Sequence, residues 1–269
     1  MFRLMGLLGV SLLAFQFSIF AQGPSWEDLY ARSLKRSGLG DYSAATKMAE
    51  GALQLAEKEF DAKHPNIMKC LTHLGEMHKM NGNLDQAESC FKKVIEQGDA
   101  VFGPDHPDTA KVLRNLGMVN ERKDQLDQAM DYFKKALAIN EKNAETDSSG
   151  IPYAAGDLSK LVSLAQRQKQ YDAAQEYLAR QLTMTEKAVG EAHRKVATLL
   201  DQQASLFMEQ EKWDDAEKAL KRSLSIQESL FGKKSLFVIK PLESLAGLYR
   251  KMGKDKEAGK IQSRLKKLQ

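Results

Sequence analysis

Past residue 25, apolar residues return along the chain at helical intervals, in pairs of runs. One pair holds Val112, Leu113, Leu116 and Val119, then Ala129, Tyr132, Phe133, Ala136 and Leu137. Another holds Val196, Leu199, Leu200, Ala204 and Phe207, then Ala216, Ala219, Leu220 and Leu224. Steps of three and four place these residues on one face of a helix. Short polar clusters separate the two runs of a pair: Asn81-Gly82-Asn83, Lys123-Asp124-Gln125, Arg167-Gln168-Lys169-Gln170 and Gln210-Glu211-Lys212. Each pair is therefore predicted to be a helical hairpin.

The hairpins recur on a fixed step. Aligned at the start of the second run, the copies read Tyr42/Ala45, Leu84/Ala87, Leu126/Ala129, Tyr171/Ala174, Trp213/Ala216 and Asp255/Ala258. Their alanines are 42, 42, 45, 42 and 42 residues apart. A period in this range signals a stacked array. The predicted fold is all-α, an α-solenoid of about six hairpins over residues 25–60, 65–102, 107–144, 152–189, 194–231 and 236–268. Gly75, Gly117, Ala204 and Ala246 share one position on the first helix, where a larger side chain would push two helices apart. Pro65, Pro107 and Pro152 share another, in a first turn that needs no N–H. The longer step comes from three extra residues before Pro152, so Glu145–Gly150 is expected to be a polar loop. In the first copy, Trp26, Tyr30, Ser33 and Leu34 fit only with a one-residue offset. The last helix keeps Ala258, Ile261, Leu265 and Leu268 on one side, as a capping helix with a polar outer face should. The stretch Phe102 to Ala110 is a joint between hairpins, with Phe102 expected to pack between neighbours.

The segment before the hairpins differs in kind. Met1 to Ala21 carries one charge, Arg3, and Leu4 to Phe20 is almost wholly apolar. With Ala21 at a cleavage position, it reads as a secretory signal peptide. The alternative is a retained membrane anchor. Either way the chain is expected to be exported, to a bacterial periplasm or outside the cell. No later stretch is apolar for long enough to span a bilayer, so the mature chain, about 22–269, is expected to have no membrane partner.

Composition adds limits. Charged residues make up 28% of the 269 residues and aromatics 7%, which suits amphipathic helices. The net charge of +4 arises from 40 basic and 36 acidic residues, too even a balance to argue for nucleic acid. Two cysteines, Cys70 and Cys90, allow at most one internal disulfide and no cysteine zinc site. Lying on the two helices of one hairpin, they read as small buried hydrophobes rather than a bridge.

Leu116-Gly117, Ala129 twelve residues later, then Phe133 and Ala136 resemble the tetratricopeptide repeat. The 42-residue length, the linker Phe102-Gly103-Pro104-Asp105-His106-Pro107-Asp108, Leu113–Gly117 and Leu242–Tyr249 resemble its kinesin-light-chain type. The resemblance implies a right-handed superhelix whose first helices line a concave groove that binds peptides or protein segments. Residues carried over to that groove are Lys69, Thr72, Glu76 and Lys79 in the second copy, and Lys111, Arg114, Met118, Glu121 and Arg122 in the third. Ser159, Ser163, Gln166 and Arg167 follow in the fourth, Thr198, Asp201, Ser205 and Met208 in the fifth, and Lys240, Glu243, Gly247 and Arg250 in the sixth. The earlier copies are the more basic, which suits an acidic segment. The type of this repeat that grips chaperone C-termini is set aside, because Glu76 would repel a carboxylate.

No catalytic constellation stands out. His73 and His78, five apart, do not share a helix face as a metal pair would, and His78 sits where Phe207 and Tyr249 stand, as a packing residue. His64 and His106 are read as helix caps. No cofactor is expected. The reading is an exported, non-enzymatic scaffold for a protein or peptide partner. A membrane-anchored assembly module and a self-associating oligomer are the alternatives.

Overall fold

The structure, a computed structural model, describes residues 23–268 apart from Phe102. The signal segment Met1–Ala21 and the packing expected of Phe102 lie outside the described residues. Twelve α-helices and no strand occur among the described residues. They are α1 (Trp26–Gly38), α2 (Tyr42–Glu59), α3 (Pro65–Met80), α4 (Leu84–Val101), α5 (Pro107–Arg122), α6 (Leu126–Thr146), α7 (Ile151–Arg167), α8 (Tyr171–Val189), α9 (Arg194–Glu209), α10 (Trp213–Phe231), α11 (Ile239–Lys251) and α12 (Asp255–Leu265). Consecutive helices pair as six hairpins, and the chain is an all-α repeat solenoid. It divides between Pro104 and Asp105 into two compact units, α1–α4 and α5–α12.

The turn inside each hairpin is one motif used six times. The backbone N–H of Asp41, Asn83, Gln125, Gln170, Lys212 and Lys254 donates to the carbonyl five residues back, at 2.8–3.1 Å. This is the Schellman closure, which satisfies carbonyls left over at a helix end. It needs a left-handed residue just before the donor. Gly40, Gly82 and Gly253 supply it without strain, whereas Asp124, Lys169 and Glu211 hold φ of 57–60°. A side chain in that region costs roughly 1–2 kcal/mol.

Inside the hairpins, the alanine position is closed: Ala45, Ala87, Ala129, Ala174 and Ala216 have no exposed surface. Opposite, a Cβ on Gly75 would lie 2.7 Å from the Phe91 ring, and one on Gly117 2.9 Å from the Phe133 ring. The glycines therefore let two phenylalanine rings lie flat on the first helix. In the fifth repeat Ala204 and Leu220 hold the same two positions, the larger alanine matched by a side chain smaller than the ring. The first repeat follows the same register, so the one-residue offset does not hold. Ser33, 42 residues before Gly75, is fully buried; its Oγ donates to the carbonyl of Ala45 at 2.7 Å and lies 2.8 Å from His73 Nε2. A serine there satisfies its hydroxyl across the hairpin, which is why an apolar pattern missed it.

First helices start under histidine caps. Nδ1 of His64, His106 and His193 accepts from the N–H two residues on, at 3.1–3.2 Å. Ser235 does the same for Phe237. Glu145–Gly150 is not a loop: α6 runs on to Thr146, and a 3₁₀ turn over Ser148–Gly150 delivers the chain to α7. Helix extension satisfies these backbone groups internally, which a polar loop would leave to water.

The second helices of the second unit are tied by a ladder of ion pairs. Arg180 reaches Glu141 at 2.6 Å, Arg222 reaches Glu186 at 2.7 Å, and Arg264 reaches Glu228 at 2.5 Å. Each joins one repeat to the next, and all three arginines share one repeat position. Being partly exposed, each rung contributes about 0.2–1 kcal/mol.

Candidate protein-binding groove

In the first unit, the groove candidates Lys69, Thr72, Glu76 and Lys79 lie along α3, on the face not used to pack α4. Lys69 is exposed, with its ammonium 4.7 Å from the Tyr30 ring centroid. Thr72, Glu76 and Lys79 are half-buried. The histidines of α3 point into the hairpins: His73 rests on Ser33, and His78 Nε2 lies 3.9 Å from Glu50. Burial lowers the pKa of His78, against the pull of Glu50. Cys70 and Cys90 are free and buried, and burial pushes each thiol up to about 11.

In the second unit, Lys111, Arg114, Met118 and Arg122 follow one another along α5. Lys111 and Arg122 are exposed, and Met118 packs against the core of repeats three to five. Arg114 behaves differently from a free groove cation. Its side chain is 29% exposed and lies across to α7, where Nε stands 2.8 Å from Oδ1 of Asp157. Asp157 is fully buried, and its Oδ2 accepts from Asn140 of α6 at 2.6 Å. The guanidinium lies 5.7 Å from the Tyr153 ring centroid, and a Cβ on Gly156 would come within 3.2 Å of it. Burial drives the Asp157 carboxyl from 3.8 up to about 6, although Asn140 and Arg114 both pull it down. Repeats two, three, five and six carry Cys70, Val112, Leu199 and Pro241 at this position; repeat one carries Asp28, which is exposed and caps its helix with Ser25, so the buried acid is particular to repeat four.

Arg167 is likewise engaged, at 2.8 Å from Asp124 and 3.8 Å from Glu121, which Lys160 also reaches at 2.9 Å. Two of the guanidiniums read as available to an acidic ligand are therefore paired within the repeat stack. A contrasting carboxylate, Glu217, is held down to about 2 by Lys221, with Lys254 and Tyr249 adding to the effect.

Open space on the first-helix face lies one repeat further on. A cleft of about 760 Å³ runs between α7, the end of α8 and the start of α9. Its floor and walls include Pro152, Ala155, Gly156, Ser159, Thr198 and Leu199, with Lys187 and Lys195 among the lining. Ser159 and Thr198 were expected on this face; the others were not. The signal was present in the sequence, because Gly156 falls at the repeat position of Lys69 and Lys111. Glycine there leaves room for the Arg114 guanidinium and adds no side chain to the cleft. A cleft of this size falls in the range of ligand sites, about 300–1,000 Å³.

A helical hairpin repeated six times, closed at one alanine position and open along its first helices, defines a repeat scaffold. Tetratricopeptide repeat profiles match residues 29–96, 67–142 and 195–262, and another matches 158–195. The chain belongs to the tetratricopeptide repeat family. No curated protein sequence matches it. Among solved structures it is similar to a protein of Podosopora anserina assigned as a kinesin light chain with nearly identical TPR-like repeats, at 16% identity and a TM-score of 0.65, over 76% of this chain and 96% of that one. It is also similar to BtubC (BKLC) of P. vanneervenii, at 17% identity and a TM-score of 0.58, over 91% of both chains. The type IV pilus biogenesis factor PilW aligns at 20% identity and a TM-score of 0.53, over 89% of this chain and 91% of that one. These likenesses concern the fold, which is typical of protein–protein interaction scaffolds.

Proposed function

We propose that this protein is an exported, non-enzymatic scaffold that binds an extended protein segment along its first-helix face. The cleft between repeats four and five seats an apolar side chain of that segment. The observation that carries this reading is the cleft itself: Gly156 stands where earlier repeats carry Lys69 and Lys111, and Ser159 where the third carries Arg114, with Ala155 beside them, and α7 and α9 line one space there. Both helices are fixed by buried contacts, with Leu158, Leu161, Val196 and Leu200 in one core. A groove formed before binding lowers the ordering cost on the scaffold side. Lys187 and Lys195 at the cleft favour a segment with a carboxylate near its apolar anchor. Export rests on Met1–Ala21, whose single charge and apolar run are those of a signal peptide.

Photo-crosslinking tests the binding face. A crosslinking amino acid placed at Ser159 or Thr198 in the full chain, produced in its native host, is expected to give a discrete adduct. The same residue at Lys218, exposed on α10, is expected to give none. Equal yields at all three positions would rule out the cleft as the seat. N-terminal sequencing of the mature protein tests export separately, and an intact Met1 would rule out cleavage.

A further inference from the structure

In the second unit, every exposed large apolar side chain among the described residues lies at one end of the hairpins. These are Tyr153, Val189, Leu230, Phe231, Leu236 and Phe237. All sit where second helices finish and first helices begin, and none sits at the Schellman turns. The density is greatest in the linker to repeat six. There the positions of Pro107-Asp108 and Arg194-Lys195 are taken by Leu236-Phe237, in a 3₁₀ turn instead of an α-helical one. Leu236 is 72% exposed and Phe237 48%. The Phe231 and Phe237 ring centroids are 4.4 Å apart, and the Arg194 guanidinium lies 5.0 Å from the Phe237 ring.

Along this linker itself the charge has one sign. Between Glu228 and Glu243 the chain carries Lys233, Lys234 and Lys240 and no acid. Glu228 is itself paired with Arg264. Elsewhere the same linker carries acids, at Asp61, Asp105 and Glu191. Lys233 and Lys234 are exposed, and their ammonium groups make no ion pair among the described residues.

We propose that this edge docks on an anionic lipid surface. Leu230, Phe231, Leu236 and Phe237 enter the headgroup layer, while Lys233, Lys234 and Arg194 lie among the phosphates. Protruding apolar side chains ringed by cations match the chemistry of such an interface, where aromatic rings and basic residues are favoured together. A second copy fits less well, because a symmetric contact would bring the same lysines face to face. A peptide fits less well because these side chains stand out from a linker, while the concavity is the cleft beside it. No helix among the described residues is long and apolar enough to cross a membrane. That absence underlay the expectation of no membrane partner for the mature chain, but an interfacial contact needs no span.

The test is co-sedimentation of the full chain with vesicles of phosphatidylcholine, with and without phosphatidylglycerol. Binding through Met1–Ala21 would be common to every variant and to neutral vesicles, so the anionic excess is the readout. The wild type is expected to show an excess of about tenfold that falls with salt. Lys233→Glu/Lys234→Glu should abolish the excess, and Leu236→Ser/Phe237→Ser should cut it severalfold. These side chains are exposed, so the variants are expected to keep their helices, with circular dichroism as the check. Phe237→Trp is expected to shift its emission to the blue on anionic vesicles alone. Equal partition to both lipids overturns the proposal. So does a full excess in Leu236→Ser/Phe237→Ser, which would mark a surface for any polyanion, an acidic protein included. Crosslinking at Ser159 and Thr198 is read independently of this result.

Discussion

Asp157→Asn isolates the cost of a buried charge. The native carboxyl titrates at about 6 against 3.8 in a solvated state. Between those values the folded chain holds a proton that the unfolded chain has released, so wild-type stability falls as pH rises through that window. The difference is equivalent to about 3 kcal/mol. Asparagine keeps the shape of the side chain and cannot ionise, and its oxygen can accept from Asn140 as the carboxylate does. Below pH ~3.8 both residues are neutral in both states, which sets the baseline between acid and amide. Above that, Asp157→Asn gains on the wild type, and the gain levels off above about pH 6–7. From about pH 4.5 to about pH 8 the gap should widen by about 2 kcal/mol. Urea unfolding followed by far-UV circular dichroism measures it, with midpoints converted through a common slope. Comparing the two chains at each pH cancels other groups, notably Glu217, whose depressed pKa acts in the opposite direction by losing stability as pH falls below about 4.5. A gap that stays flat or narrows with pH would refute the reasoning, because it would mean the Arg114 pairing outweighs burial.

Two other sets of substitutions probe the repeat architecture. Gly117→Ala drives a Cβ against the Phe133 ring and should cost about 1–3 kcal/mol. Adding Phe133→Leu, which with alanine recreates the Ala204/Leu220 pair, should recover part of that loss; strict additivity in a double-mutant cycle would show that the two sites do not couple. Lys169→Gly and Glu211→Gly relieve a left-handed φ and should each raise stability by about 0.5–1 kcal/mol. Differential scanning calorimetry checks this, and a lowered midpoint for either would contradict a strained turn.

Most of the architecture was legible because it repeats. A single alanine says little, but six in series, 42 or 45 residues apart, fix hairpin, turn and register together. The histidine caps at His64 and His106 could be read for the same reason. What escaped the sequence departs from the repeat or depends on a partner one repeat away. Ser33 holds the small position with a hydroxyl whose acceptor, Ala45, only the fold brings near. Asp157 looks like any surface acid until α6 and α5 close over it. Arg114 and Arg167 were read as groove cations because nothing local shows the carboxylates that reach them. Arg180, Arg222 and Arg264 also recur at a 42-residue step, but that they form the rungs joining second helices shows only once the glutamates of the preceding repeat are in place.

That ladder makes the array extensible. Every rung joins an arginine to the glutamate of the repeat before it, and residues 194–235 carry one of each, Arg222 and Glu228. A second copy of this 42-residue block, inserted after residue 235, would set its arginine against the first copy's glutamate and offer its own glutamate to Arg264. Tandem duplication in frame would thus lengthen the protein with its electrostatic joints already matched. Growth by whole repeats is open to this chain at that point.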